Sequence, residues 1–516
     1  MPSLARRTVS NAGWAGTCRV LTGVVSLATV PVFIGRLGAA SYGIYVLIQS
    51  LLGVTGLFNL GFGEAAIKYT AEADGRGDTA SMARYFRNVL AVSLVVTAAV
   101  FGLVVLCAGI LADTLLRASP DQREVAVASL FWFGLAWVGR NINGALATLP
   151  AARQRYDQIV LIREGAVVLE RVLALAVLGF GGGLVDVFQV QIVPQIVAGI
   201  LFAAAARRAL PGVSLVPRFD AACLARSFRF GVWQSLSNVF YELSNSVDRW
   251  MVGVLISTRA VGYYGAILVI TNGIWGILTG LASVLVPTFS YLQGRREEGR
   301  ASSAFMTASW SLGLIGTLVC VPLVWYGRPF LRLWLGVAAA QEARVALLMS
   351  LVAQTLLGAA AAQACFLVGT GRTAWNARIA LANILLTVAI NAVVLPIWGL
   401  DGMGASRIGV ALCAAFNLVL MRSHALDSPP RSVYLGALFG PPIIGLLCGG
   451  LGVALSARGI WGTINSWLWL GGAAALTSLG IAGLNLILGG LIKGQSGRLR
   501  YLRRTLGWPP PGPVPS

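Results

Sequence analysis

The stretch ELSNSVDRWMVGVL, Glu242 to Leu255, decides the fold class, because it sets Glu242, Asp248 and Arg249 inside a long apolar segment. Charges in such a segment are costly unless they meet a partner or a watery interior. The composition of the whole chain says what surrounds them. Of 516 residues 57% are apolar and 11% charged, with a mean hydropathy of +0.78. That much apolar mass does not fit inside a water-soluble core. A spanning helix needs roughly 20 apolar residues. About fourteen such segments are predicted, at 8–34, 41–66, 85–111, 125–149, 157–180, 185–206, 228–255, 261–290, 303–326, 344–370, 375–397, 402–421, 433–456 and 463–491. Runs this long exclude the ten-residue alternation of a transmembrane barrel, and the expected class is an all-α polytopic membrane protein.

Charge placement gives the topology. With the N-terminus in the cytoplasm, most of the 39 Lys and Arg fall on the cytoplasmic side, as the positive-inside rule requires. Both termini are therefore expected in the cytoplasm. The formal net charge of +20 is a topology signal and no nucleic-acid partner is expected. Arg153 with Arg155, Arg207 with Arg208, Arg295 with Arg296, and the tail from Lys493 to Arg504 sit where anionic membrane lipids would meet them. The basic N-terminus lacks a small-residue cleavage site, so the first span reads as an uncleaved anchor. The seven cysteines are scattered singly and His424 is the only histidine. Neither a metal site nor any cofactor is expected.

The chain also repeats itself. RLGAASYGIYVLI, Arg36 to Ile48, is followed 219 positions later by ISTRAVGYYGAILVI, with Gly262 and Tyr264 standing where Gly43 and Tyr45 stood. LPAARQRYDQIVLI after span four resembles VGTGRTAWNARIAL after span ten, and LGFGGGL after span five resembles PIWGLDGMGA after span eleven. Two six-helix lobes follow, residues 1–210 and 211–425, with the same order and orientation. An even number of spans per lobe makes the repeat parallel, as in transporters whose halves are related by an axis along the membrane normal. Residues 426–495 add two further transmembrane helices, and 496–516 form a basic, Pro-rich cytoplasmic tail.

RLGAASYGIYVLIQSLLGVTGLFNLGFGEAAIKYTAEADGRGD and SNSVDRWMVGVLISTRAVGYYGAILVI resemble the paired signatures of the polysaccharide flippase family. That family includes the O-antigen transporters and lies in the multidrug, oligosaccharidyl-lipid and polysaccharide exporter superfamily. The resemblance covers about residues 5 to 425 and separates the superfamily better than its substrates. It implies a V-shaped pair of six-helix bundles in a bacterial inner membrane, with a central cavity. The implied cargo is an undecaprenyl-pyrophosphate-linked oligosaccharide, moved from inner to outer leaflet for lipopolysaccharide, capsule or exopolysaccharide synthesis. A polysaccharide polymerase and glycosyltransferases are the implied partners.

The candidate site residues come from the side chains themselves. At 3.6 residues per turn Asn238, Glu242, Asn245 and Arg249 form one stripe in span seven, with Asp248 to its side. Asn11, Arg19, Thr22 and Ser26 form the equivalent stripe in span one. In hydrocarbon such a face must point into the bundle or a cavity. Arg140 in span four and Glu170 with Arg171 in span five are too deep to snorkel easily, whereas Glu64 and Glu164 lie near cytoplasmic ends. Arg19, Arg140, Arg171, Asn238, Asn245 and Arg249 are the substrate-binding candidates, the arginines because a planar donor fork suits phosphate oxygens. Glu64, Glu170, Glu242 and Asp248 are the candidates for ion coupling or gating. Internal braces, Arg140 with Glu170 or Glu242 with Arg249, are the alternative use of the same charges.

Two other classes compete. A small-molecule exporter of the same superfamily would expel cationic amphiphiles, for which acids rather than Arg19 are expected in span one. A membrane-embedded glycan polymerase or ligase would need a carboxylate or His constellation outside the spans. The chain has only 19 acids and carries no GxSxG, HExxH or GxxxxGK[ST] motif. It is therefore read as a transporter and not an enzyme, driven by an ion gradient, the membrane potential or consumption of product.

Overall fold

The computed structural model describes residues 2–55, 62–283, 285–424, 431–457 and 466–491. Within these, the side chains of 2–20, 52–55, 62, 64, 228–242, 244–245, 287, 373, 423–424, 452–457 and 486–491 lie outside the description. The described chain is almost wholly α-helical. α1 (Pro2–Thr55), α2 (Phe62–Gly75), α3 (Thr79–Thr114), α4 (Pro120–Leu146), α5 (Thr148–Ala152), α6 (Tyr156–Gly179), α7 (Leu184–Gln189) and α8 (Ile192–Ala209) come first. α9 (Ala221–Leu255), α10 (Thr258–Ser283), α11 (Leu285–Gly294), α12 (Glu298–Leu335), α13 (Val337–Glu342) and α14 (Arg344–Gly369) follow. α15 (Thr373–Trp398) and α16 (Met403–His424) are joined by a 3-10 turn, Gly399–Gly402, and α17 (Arg431–Ala457) and α18 (Trp467–Leu491) close the chain. Ten stretches among the described residues are long and apolar enough to cross a bilayer.

Each helix satisfies its own backbone, which lipid cannot do for it. Its outer side chains are apolar for the same reason: Leu106 on α3 and Leu447 on α17 are 83% and 71% exposed. The sequence decides the ends. Asp78 and Asp220 cap α3 and α9 by accepting from the backbone N–H of Ser81 and Cys223, each at 2.9 Å. Pro120 opens α4, where its missing N–H costs nothing. Predicted spans one and two merge into α1, broken only at Gly38 (φ 80°, ψ 157°), a backbone geometry that suits glycine.

The chain forms two compact units, Met1–Gly273 with Ala380–Met403, and Ile274–Ile379 with Gly404–Ser516. In the first, α1 packs on α6 and α9, α3 on α4, and α4 on α7 and α8. The connection from α8 to α9 is fastened to α3: Arg87 Nε donates to the Val216 carbonyl at 2.9 Å and the Asp220 N–H to Asn88 Oδ1 at 3.0 Å. Beside it Tyr69 and Tyr85 stack at 5.3 Å under the Arg226 guanidinium. In the second unit α12 is the hub for α14, α17 and α18. Trp325 Nε1 donates to the Cys448 carbonyl at 2.8 Å, Ser478 Oγ to the Leu318 carbonyl at 2.9 Å, and Tyr434 to the Leu418 carbonyl. The two additional C-terminal helices are thus bonded into this unit.

Candidate functional site

The deep charges of the first unit converge where α1, α4, α6 and α7 meet. Glu170 on α6 is 4% exposed. Its Oε2 accepts from Arg140 Nη2 on α4 at 2.8 Å, and the same Nη2 lies 3.3 Å from Gln191 Oε1. The brace foreseen between spans four and five is therefore formed, through Nη2 of Arg140. The neighbouring Arg171 has another partner: Nη1 donates to the Tyr45 hydroxyl on α1 at 2.6 Å, and Gln49 Nε2 donates to that same hydroxyl at 3.0 Å. Tyr45 sits in an aromatic wall, stacked on Tyr42 at 5.9 Å and tilted against Phe33 and Phe188 at 5.1 and 5.3 Å. Arg171 Nε, Gln49 Oε1 and Gln191 Nε2 are buried without a hydrogen-bond partner. A cluster so supplied offers unused donors and an acceptor to a polar guest. Both arginines of this cluster retain open donors: Arg140 bonds through Nη2 alone, and Arg171 keeps a buried Nε unbonded.

A second polar cluster lies where α9 leads into α10. Asp248 is 1% exposed; Oδ2 accepts from the Tyr264 hydroxyl at 2.6 Å and Oδ1 from the Arg249 N–H at 2.7 Å. Its carboxylate is engaged inside the protein, which is why the chain tolerates it in an apolar segment. Arg249 is half-buried. Next to them Ser246 Oγ donates to the Ser50 carbonyl at 3.1 Å and Trp250 Nε1 to Ser50 Oγ at 2.7 Å, tying α9 to α1.

Of the stripe in the first span, Thr22 Oγ1 donates to Glu164 Oε2 on α6 at 2.7 Å, so at that level the face points toward α6. The side chains of Arg19, Glu64, Asn238, Glu242 and Asn245 lie outside the described residues. Sequence reasoning missed Tyr42, Gln49, Ser50 and Gln191. Tyr45 and Tyr264 were visible as a repeat pair without a role, and the structure gives them matching ones: each hydroxyl binds a buried charge, Arg171 for one and Asp248 for the other. Among the described residues, no group of three or more His, Cys, Asp or Glu could hold a metal ion.

Comparison with known proteins agrees with this architecture. Residues 8–293, more than half of the chain, match the family described as polysaccharide biosynthesis protein. Residues 235–393 match the MatE family. No curated protein sequence matches. Among solved structures, lipid II flippase MurJ in an inward closed conformation superposes with a TM-score of 0.71 at 11% identity, covering 91% of this chain and 98% of that one. An inward-facing multidrug resistance MATE family transporter of the MOP superfamily gives 0.68 at 14% identity, covering 79% and 97%. A MOP superfamily transporter from Pyrococcus furiosus gives 0.55 at 14% identity, covering 86% and 95%. The chain belongs to the polysaccharide biosynthesis protein family and has the fold of the lipid II flippase MurJ and the MATE family transporters of the MOP superfamily.

Proposed function

We propose that this protein flips an undecaprenyl-pyrophosphate-linked oligosaccharide from the inner to the outer leaflet of a bacterial cytoplasmic membrane, for surface polysaccharide synthesis. Both termini are placed in the cytoplasm, and the mechanism is alternating access. The observation that carries the reading is the family match over residues 8–293. The chemistry of the first unit supports it, since its interior offers the guanidinium of Arg171, with an unpaired buried Nε, beside the aromatic wall of Tyr42, Tyr45, Phe33 and Phe188. A guanidinium suits a phosphate-bearing cargo and opposes a cationic one. Arg19, Arg140, Asn238, Asn245 and Arg249 are the further proposed cargo contacts, Glu170 and Asp248 the proposed gating or coupling acids with Glu64 and Glu242. The repeat argues for the two proposed lobes, 1–210 and 211–425.

The decisive experiment is deletion. Lipid-linked oligosaccharide should accumulate on the inner leaflet and surface polysaccharide should fall, with sensitivity to cationic drugs unchanged. The MatE match over residues 235–393 favours a second reading, export of small molecules. Raised drug sensitivity with normal surface glycan would select it. Topology has its own test: a reporter active only in the periplasm should be silent when fused after Arg504 and active after Asp186.

A further inference from the structure

The second unit carries a basic crevice that the proposed transport path does not use. Its lining is Leu323, Val324, Trp325, Gly327 and Arg328 from α12 with Arg344 and Leu348 from α14. None of these seven residues is acidic. Arg328 is exposed and Arg344 half-buried, and neither guanidinium has a hydrogen-bond or ion-pair partner among the described residues. Arg123, in another break assigned to the same side of the membrane, is by contrast neutralised by Asp113 at 2.8 Å.

The level of the crevice in the membrane is set by α12. At 1.5 Å per residue a helix of 38 residues is about 57 Å long, against roughly 30 Å of hydrocarbon. Arg328 lies in its last two turns and Arg344 is the first residue of α14. Both guanidinium groups therefore stand at headgroup depth, while Leu323, Val324 and Leu348 continue toward the hydrocarbon. The Trp325 ring is held in place by its bond to the Cys448 carbonyl of α17. An indole at the interface, two free donor forks above it and apolar side chains below make an amphipathic cleft matched to a lipid with an anionic head.

We propose that this crevice binds the phosphate group of a membrane lipid, held by Arg328 and Arg344, with its chains over Leu323, Val324 and Leu348. The end of α12 concerned is opposite to Arg295 and Arg296, so the lipid belongs to the outer leaflet; that side rests on the topology proposed above. Two sources share this chemistry, a bulk anionic phospholipid and the pyrophosphate lipid that is the proposed cargo.

The test is native mass spectrometry of the purified full chain with phosphatidylglycerol, phosphatidylcholine or undecaprenyl pyrophosphate. Phosphatidylglycerol should bind in preference to phosphatidylcholine. Arg328→Gln with Arg344→Gln should weaken that binding roughly tenfold or more. Arg123→Gln, whose guanidinium is already paired with Asp113, should leave this adduct intact. Displacement of phosphatidylglycerol by equimolar undecaprenyl pyrophosphate, dependent on the two arginines, identifies the cargo lipid as the source; persistence of phosphatidylglycerol identifies bulk lipid. Equal adducts in wild type and the double glutamine variant overturn the proposal. Should that variant fail to fold, Leu348→Glu, which sets a carboxylate in the lining, must remove the preference for phosphatidylglycerol, and an unchanged preference overturns the proposal equally. Binding is read on isolated protein, so its failure leaves the transport reading standing, and a failed flipping assay leaves the crevice standing.

Discussion

Gly43 and Gly262 occupy each other's limits: a Cβ on Gly43 would lie 1.7 Å from the Thr258 carbonyl oxygen, and one on Gly262 would lie 2.1 Å from that of Ala39. The offset of 219 that relates the two glycines also relates Ala39 to Thr258. The contact is reciprocal, as two helices crossing about a local pseudo-two-fold axis require. Backbone approach this close needs both side chains absent.

Gly43→Ala or Gly262→Ala should therefore force α1 and α10 apart and destabilise the protein by about 1–3 kcal/mol, with loss of complementation in a strain lacking the gene. Gly23, whose Cβ would meet nothing within 4 Å, is the control. Thermal unfolding in detergent checks both, and equal melting of Gly43→Ala and Gly23→Ala would refute the crossing.

The Arg140–Glu170 brace predicts a rescue. Glu170→Gln leaves a largely buried guanidinium without its counter-charge and should cost about 3 kcal/mol, whereas adding Arg140→Gln should recover much of it. A double-mutant cycle on thermal stability reads the coupling; additive losses would mean that the pair does not act as a unit.

Arg171 and Tyr45 separate binding from bracing. Tyr45→Phe removes one acceptor and should cost about 1 kcal/mol, with transport kept. Arg171→Ala should abolish transport in a protein that still inserts, and Arg171→Lys, which keeps charge but loses the fork, should restore part of it. Full activity of Arg171→Ala in an inner-to-outer leaflet flipping assay would remove this residue from the cargo path.

Tyr264→Phe should strand the Asp248 carboxylate without one donor and cost about 1–3 kcal/mol. Asp248→Asn keeps an acceptor for the Tyr264 hydroxyl and should be milder. The reverse order of melting temperatures would argue that Asp248 is not held by Tyr264.

Acid should weaken the start of α9. The Asp220 carboxyl is held below the usual carboxylate range, chiefly by the Cys223 backbone N–H it accepts. A lowered native pKa means that the cap contributes fully above the ordinary carboxylate value of about 4 and is lost as pH falls through the lowered one. The gap in melting temperature between wild type and Asp220→Ala should be widest near neutral pH and narrow below that value. A gap constant with pH would show that the charge of Asp220 plays no part.

How much of the candidate site was legible depended on distance along the chain. Arg140, Glu170, Arg171 and Asp248 stood out because a charge is conspicuous in an apolar run. Their partners did not. Tyr45 lies 126 residues from Arg171, and Gln191 51 residues from Arg140. Tyrosine and glutamine in a membrane helix carry no mark that says which neighbour they meet. The Arg328–Arg344 crevice was hidden for the same reason, since its arginines belong to two different helices.

The sequence by itself determined that this is an all-helical membrane protein of the polysaccharide biosynthesis family, with a repeat offset that pairs Gly43 with Gly262. It could do so because each apolar run must close its own backbone hydrogen bonds in lipid, whatever its neighbours are. Tertiary structure decided how the charges are used: Arg140 bonded to Glu170, Asp248 to Tyr264, and Arg171 to Tyr45 with its Nε left open. Those choices follow from how each helix is rotated and crossed against its neighbours. Side-chain packing between distant segments sets that rotation, and local hydropathy does not encode it.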